Sequence, residues 1–123
     1  MDYSFKDDRP IFQQLAEYLK EDIQSGVYKE GAPIPSSTQL SVELKINPAT
    51  TMKAVNLLVD EGLVEKKRGI GMFVKDGARL KIMRMKKESF IEDHIKPLLK
   101  AAAALEITEE ELIGMVRGEI NES

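Results

Sequence analysis

Apolar residues at helical spacing predict a helix in the first part of the chain. This helix begins at Pro10 and reaches about Ser25, because its apolar residues form a single core-facing stripe. Gly26 follows, and glycine is typical of the position just past a helix C-terminus. The stripe consists of Ile11, Leu15, Leu19 and Ile23.

Two further helices are predicted on either side of a very short turn. The first of them is capped by Ser36 or Ser37 and ends near Leu44, and the next begins at Pro48 with Asn47 as its cap. Two helices joined by three residues indicate a helix-turn-helix, whose second helix is the one presented to DNA. The alternative is an ordinary helical hairpin in a small core.

The helix that begins at Pro48 has two different faces. Gly62 is predicted to end it. Its core-facing stripe consists of Val55, Leu58 and Val59. The side predicted to point outward carries Thr50, Lys53 and Asn56.

A small hairpin is predicted directly after this helix. Residues 63–67 and 72–74 are typical of two short strands, and the glycines of the intervening segment 68–71 can take the positive φ of a tight turn. Residues 31–35 contain too much proline and glycine for a helix and are interpreted as a connection. A polar-faced helix followed by a basic, glycine-tipped hairpin predicts a winged helix, a mainly α fold with a small β-hairpin wing.

The remainder of the chain is predicted to form a helical tail with apolar faces. Pro97 lies within the pattern and is expected to kink it. Thr108 and Glu111 form a capping box that opens a last helix. We expect the apolar residues of both helices to form a dimer interface, because little of the chain is left to cover them. They are Phe90, Ile91, Ile95, Leu98, Leu99, Ala102, Leu112, Ile113 and Val116.

These patterns predict two domains. Residues 1–76 form a winged helix-turn-helix that binds DNA, and residues 77–123 form a C-terminal helical dimerisation arm. A hydrophobic content of 42% with 32% charged residues favours a folded chain over a disordered one.

The net charge of −3 conceals a strong segregation of charge. Residues 45–87 contain 11 Lys/Arg and 4 Asp/Glu, whereas the rest of the chain contains 7 Lys/Arg and 17 Asp/Glu. A basic segment between acidic flanks weakly favours a nucleic-acid partner. An ordinary solvated surface is the alternative.

Several other classes of function find no support in the sequence. The chain has no cysteine and a single histidine, His94, so we expect neither a metal site nor another cofactor. No nucleophile–base pair stands out, and no enzyme is predicted. The N-terminus lacks the apolar core of a signal peptide, and no apolar run approaches the ~20 residues of a membrane helix. The sequence therefore predicts a cytoplasmic protein with no membrane partner.

Seven motifs follow one another along the chain: Pro10–Leu15, Ile23–Gly26, Gly31, Ile34–Ser36, Ile46–Thr50, Glu61–Val64 and Arg68–Val74. Together they resemble the N-terminal domain of the GntR family, which consists of bacterial winged-helix transcription regulators. The proline at the start of the third helix and the short tail resemble the YtrA-like subfamily. The resemblance implies a DNA-binding regulator of transcription, and members of this subfamily often regulate transporter operons.

The resemblance and the residue chemistry together predict the DNA-contacting residues. Family members commonly carry Glu-Arg where this chain has Ser37 and Thr38, so the arginine charge is missing there. For Thr51 a buried, helix-packing role is equally compatible with the sequence, and the wing cations are alternatively ordinary exposed charges. The predicted residues are Ser36, Ser37, Thr38, Asn47, Ala49, Thr50, Thr51, Lys53, Lys66, Lys67, Arg68 and Gly69.

The sequence therefore predicts a homodimeric, sequence-specific repressor of transcription that binds an inverted-repeat operator in double-stranded DNA. The alternative is a winged-helix module that binds protein without specific DNA binding. The effector is unknown. Because the tail is too short to enclose a pocket of ~300 Å³ within one chain, we expect any effector to bind between subunits or between the tail and the DNA-binding domain.

Overall fold

The computed structural model describes residues 2–123, which contain six α-helices, three short strands and one π-helical turn. The contacts divide the chain into two compact units, an N-terminal unit that extends to Arg84 and a C-terminal unit, Met85–Ser123. In chain order the elements are α1 (Ile11–Ser25), β1 (Pro33–Ile34), α2 (Ser37–Leu44), α3 (Pro48–Asp60), β2 (Val64–Lys67), β3 (Gly71–Val74), α4 (Ala78–Phe90), the π-helical turn Ile91–Ile95, α5 (Lys96–Ala104) and α6 (Glu109–Glu122).

Helix α3 packs against both α1 and α2 in the N-terminal unit. The caps fall where the sequence predicts them. Gly26 adopts a left-handed φ of 87° after α1, Ser36 forms a capping box with Gln39, and the Asn47 side chain accepts a hydrogen bond at the start of α3. The core is formed by buried side chains of these helices and of the strands. They include Leu15, Leu19, Ile23, Ile34, Leu40, Ala54, Val55, Leu58, Leu63, Val64 and Val74.

An ion pair ties the end of α3 to α1. The Lys20 ammonium donates a hydrogen bond to Glu61 Oε2 at 2.9 Å and lies 2.7 Å from Glu61 Oε1. Both side chains are mostly buried, so solvent screens this pair less than an exposed one. The contact fixes the C-terminal end of the helix that the sequence assigns to DNA reading.

The three strands form one antiparallel sheet in the order β1-β3-β2. The predicted hairpin of β2 and β3 is confirmed, with Val64 opposite Val74 and Lys67 opposite Gly71. Strand β1 corrects the interpretation of residues 31–35 as a connection, because Ile34 pairs with Met72. Two residues, one of them a proline, carry no periodicity, so only the tertiary pairing reveals this strand. The winged-helix fold class is confirmed.

The segment before α1 is held against that helix. Gln14 is 5% exposed, and its amide donates to the carbonyls of Lys6 and Arg9 at 2.7 Å and accepts from Lys6 N at 2.8 Å. The Tyr3 ring stacks on Tyr18, with ring centroids 4.5 Å apart. Burial and a hydrogen bond to the Asp22 carboxylate raise the Tyr3 pKa far above its ordinary value. The phenol therefore stays protonated and remains a donor.

The first turns of α4 pack with the N-terminal unit. Ala78 and Ile82 are buried in the core cluster, and the Arg79 guanidinium donates to the Gln24 carbonyl at 3.1 Å. The sequence places the start of the arm at residue 77, whereas the compact unit extends to Arg84. A fragment that ended at residue 76 would lose two core side chains, so the isolated N-terminal unit is better ended at Arg84.

In the C-terminal unit the predicted irregularity at Pro97 takes the form of the π-helical turn. The backbone N–H of Lys96 donates to Ile91, five residues earlier. A proline ring clashes with the carbonyl four residues before it, here that of Asp93, and the wider turn lies at this place. Helix α6 begins with the predicted capping box of Thr108 and Glu111.

Many apolar side chains of the C-terminal unit are exposed in the single chain. Ala102 is 6% exposed and is the one buried side chain in residues 85–123. This burial corrects the prediction of Ala102 as an interface residue, because its methyl group is already covered. Ile95 and Leu112 are partly buried. The exposed apolar residues are Phe90, Ile91, Leu98, Leu99, Leu105, Ile113, Met115, Val116 and Ile120, at 41–73%.

Candidate nucleic-acid interface

Helix α3 presents a polar face to solvent. Lys53 and Asn56 are exposed and Thr50 is partly exposed, while Ala54 and Leu58 on the other side are buried. Serine, threonine, asparagine and lysine are side chains that bond base edges in a major groove. The outward face that the sequence predicts for α3 is therefore present in the structure.

The start of α3 is capped by Asn47 and is exposed to solvent. The Asn47 side chain accepts from Ala49 N at 2.8 Å, so one of its acceptor positions is used within the protein. Ala49 and Pro48 are exposed. With only a methyl group at Ala49, this end of α3 can approach another molecule closely.

Thr51 lies inside the protein and not on this face. Its side chain is 0% exposed, and its hydroxyl donates towards the carbonyls of Ser37, at 2.8 Å, and Pro48, at 3.0 Å. The first of these bonds ties α3 to α2. The prediction of Thr51 as a DNA-contacting residue is therefore corrected, and its role is to hold the two helices together.

A neighbouring aromatic ring restrains the cation on α3. The Lys53 ammonium lies 4.2 Å from the centroid of the Phe12 ring, which belongs to α1. A cation over a ring face is attracted by about 0.5–1 kcal/mol at an exposed site. Phe12 was not among the predicted site residues. Its contact narrows the range of positions that the Lys53 side chain samples.

The N-terminus of α2 is the second part of the candidate interface. The Ser36 hydroxyl accepts from Gln39 N at 3.1 Å, and Gln39 Oε1 accepts from Ser36 N at 2.9 Å. Ser36 thus serves first as a cap. Ser37 is partly buried and Thr38 is exposed, and the backbone N–H groups of a first helical turn lack intrahelical partners. Such N–H groups suit an anion better than the Ser36 side chain does.

The wing carries three exposed cations, Lys66, Lys67 and Arg68. Within residues 2–123 none of them forms an ion pair, and the Lys67 ammonium lies 4.6 Å from the Phe73 ring centroid. Gly69 has a φ of 76°, and the Ile70 amide donates to the Lys67 carbonyl at 2.9 Å, which closes the turn. The charges at this tip are therefore available to an anionic partner.

The part of the chain that the structure describes was also searched for metal-binding groups and for membrane-spanning helices. Residues 2–123 contain no group of three or more His, Asp or Glu side chains placed to hold a metal ion. His94 is exposed and lies beside Phe90, with ring centroids 5.2 Å apart. None of the described helices is both long enough and apolar enough to span a membrane.

Comparison with known proteins identifies the family to which this winged-helix chain is similar. Residues 11–74 match the family described as "Bacterial regulatory proteins, gntR family". Over 90 residues the chain is 31% identical to the HTH-type transcriptional repressor YtrA of Bacillus subtilis (strain 168), which covers 73% of this chain and 68% of that protein.

Two solved structures extend the comparison. The chain is similar to a putative transcriptional regulator of the GntR family from Bacteroides thetaiotaomicron, with a TM-score of 0.73, 30% identity, and coverage of 91% of this chain and 97% of that one. It is also similar to the DNA-binding domain of AraR in complex with operator ORR3, with a TM-score of 0.53, 26% identity, and coverage of 60% and 89%.

These matches establish the class of the protein. The chain belongs to the GntR family of bacterial regulatory proteins, and the resemblance to its YtrA-like members is confirmed. It is a regulator of transcription with a winged-helix DNA-binding domain, and its matched relatives are regulators rather than enzymes.

Proposed function

We propose that this protein is a homodimeric repressor that binds an inverted-repeat operator. The observation that carries the DNA-binding part is that one compact unit contains both the polar face of α3 and a wing with three exposed cations, which form no ion pair with any of residues 2–123. α3 supplies groups that read bases, and the wing supplies groups that bind phosphate.

The proposed division of labour follows from residue chemistry. Thr50 and Lys53 contact base edges, because a hydroxyl and an ammonium both bond the groups that a major groove displays. Lys66, Lys67 and Arg68 contact phosphates, with Gly69 allowing the tip to lie close to the backbone. The N-terminus of α2, at Ser37 and Thr38, binds a further phosphate.

The proposed dimer is supported by the C-terminal unit. Nine large apolar side chains there are at least two-fifths exposed in the single chain. Exposed apolar surface of this extent is typical of an interface between proteins. A two-fold dimer reads two half-sites about one helical turn, ~34 Å, apart, which makes the operator an inverted repeat. Repression and control of a transporter operon are proposed by similarity to YtrA-like relatives.

Selection of bound sequences from a random pool of double-stranded DNA tests this proposal. We expect the selected sequences to share an inverted repeat with half-site centres ~34 Å apart, since each half-site is read by one α3. Each half-site is expected to tolerate few substitutions where α3 lies. Enrichment of a single unrepeated site would contradict the dimer, and no enrichment at all would contradict sequence-specific binding.

A further inference from the structure

The cation on the polar face of α3 lies over an aromatic ring that belongs to another helix. The Lys53 ammonium is 4.2 Å from the centroid of the Phe12 ring. Phe12 is the second residue of α1, is partly buried and packs against the core, whereas Lys53 is exposed. A ring whose position is fixed by packing therefore faces the end of a long, flexible side chain.

The backbone on both sides of this contact is anchored. The first turn of α1 is held by Gln14, whose buried amide donates to the carbonyls of Lys6 and Arg9. Helix α3 packs against α1, and the Thr51 hydroxyl ties α3 to α2. Because both backbones are fixed, the freedom that remains at this contact is that of the lysine side chain.

Phe12 restrains Lys53 without neutralising its charge. Lys53 forms no ion pair with any of residues 2–123. An acidic partner would compete with DNA for the ammonium, because a carboxylate and a base edge accept the same N–H groups. A ring attracts the cation through the negative potential of its face and leaves the ammonium positively charged. The charge of Lys53 therefore remains available to a base.

A restraint of this kind matters most where the geometry of a contact is strict. A lysine loses rotamer freedom when its ammonium is fixed against one base, and a lysine that is already restrained loses less. The O6 and N7 acceptors of a guanine occupy defined positions in the major groove, so a lysine that reads them must reach one place. A phosphate contact positions the protein on DNA of any sequence, so restraining a phosphate-binding cation adds no discrimination.

We propose that Phe12 is a positioning residue for base recognition, which acts by holding the Lys53 ammonium over its ring. The inference deepens the proposed DNA-binding function and depends on it. It gives α1, which lies outside the helix-turn-helix of α2 and α3, a part in sequence discrimination. Phe12 needs no contact of its own with DNA for this role.

A double-mutant cycle on DNA binding tests the proposal. The full-length wild-type protein, Phe12→Leu, Lys53→Ala and the double variant are each titrated with the selected operator and with scrambled DNA. Leucine keeps an apolar side chain against the core and removes the ring. We expect Phe12→Leu to lower the ratio of the two affinities about fivefold, because the attraction between ammonium and ring is lost. In the Lys53→Ala background the same change should lower the ratio by less than about twofold.

Three further measurements separate positioning from a general effect on the fold. Phe12→Tyr retains a ring and should retain the wild-type ratio. In the free protein, the ring current of Phe12 should shift the ε-methylene proton resonances of Lys53 upfield, and Phe12→Leu should abolish that shift. Phe73→Leu is the matched control, because the Phe73 ring lies 4.6 Å from the ammonium of Lys67, which is proposed to bind phosphate. It should leave the ratio unchanged.

Several results would overturn the proposal. A ratio that Phe12→Leu leaves unchanged, or Lys53 resonances that it leaves unchanged, would remove the positioning role. An equal loss with and without Lys53, or an equal loss in Phe12→Tyr, would show that Phe12 acts by another route. An equal loss in Phe73→Leu would show that the effect is not particular to Lys53. In each case discrimination by the wild-type protein would persist, so the proposed function would stand; its absence would overturn both.

Discussion

Replacing Leu99 with glutamate is expected to convert the proposed dimer into a monomer and to weaken operator binding by about 10²–10⁴-fold. Leu99 lies on α5 and is 52% exposed in the single chain, among the apolar residues of the C-terminal unit. A carboxylate there would be buried without a partner in the dimer, which is strongly unfavourable. Two linked reading heads gain 10²–10⁴ in avidity over one, and a monomer loses that gain.

Sedimentation and DNA titration of Leu99→Glu measure these two effects. Lys100→Glu is the control, because it introduces the same carboxylate at the next, exposed position of α5. Since Leu99 is exposed in the single chain, the change should leave the stability of each folded chain within about 0.5 kcal/mol. The proposal would fail if the variant remained dimeric, or if it were monomeric and bound the operator as tightly as the wild type.

The second large effect separates base reading from phosphate binding. Lys53→Ala and Thr50→Ala are expected to reduce the discrimination between operator and random DNA by about 1–3 kcal/mol for each true base contact. Lys67→Ala and Arg68→Ala are expected to weaken binding to both DNAs alike. Each is also expected to make the fall of log affinity with log salt less steep by about one unit.

Titration of each variant with operator and scrambled DNA at several salt concentrations measures both quantities. Lys100→Ala removes one positive charge outside the N-terminal unit and controls for net charge. The assignment would be wrong if the wing variants changed sequence preference while the α3 variants left it intact.

Much of this architecture could be predicted from the sequence because its signals are local. Gly26 and the capping residues Ser36, Asn47 and Thr108 each mark a helix end through bonds to backbone groups a few residues away. The hairpin follows from its glycines. These features depend on neighbouring residues, and neighbouring residues are what a sequence shows.

The features that the sequence did not reveal depend on contacts between distant segments. Strand β1 exists because Pro33–Ile34 pairs with β3, some forty residues later. Thr51 is buried, and its hydroxyl donates to the carbonyl of Ser37, fourteen residues earlier. Periodicity places a residue on one face of a helix, but it does not say what covers that face.

In the candidate DNA-binding site, too, some features follow from the local sequence and others depend on contacts between distant segments. The exposed positions of Lys53 and the wing cations follow from the pattern, whereas the ring contact of Phe12 with Lys53 requires the packing of α1 on α3. A lone apolar residue between glycines, such as Ile70, looks like part of a turn in the sequence. The structure shows that its side chain is 73% exposed and follows three exposed cations.

The dependence of operator binding on salt is the most direct test of the central claim, which is that the α3 and wing surface binds DNA. The wild-type protein is titrated with the selected operator and with scrambled DNA from about 50 to 200 mM salt. We predict that log affinity falls linearly with log salt on both DNAs, with a slope close to 0.9 for each phosphate contact, and that the operator remains preferred throughout. Affinity that does not change with salt, or that is equal for the two DNAs, would contradict this account and would favour a winged-helix module that binds protein.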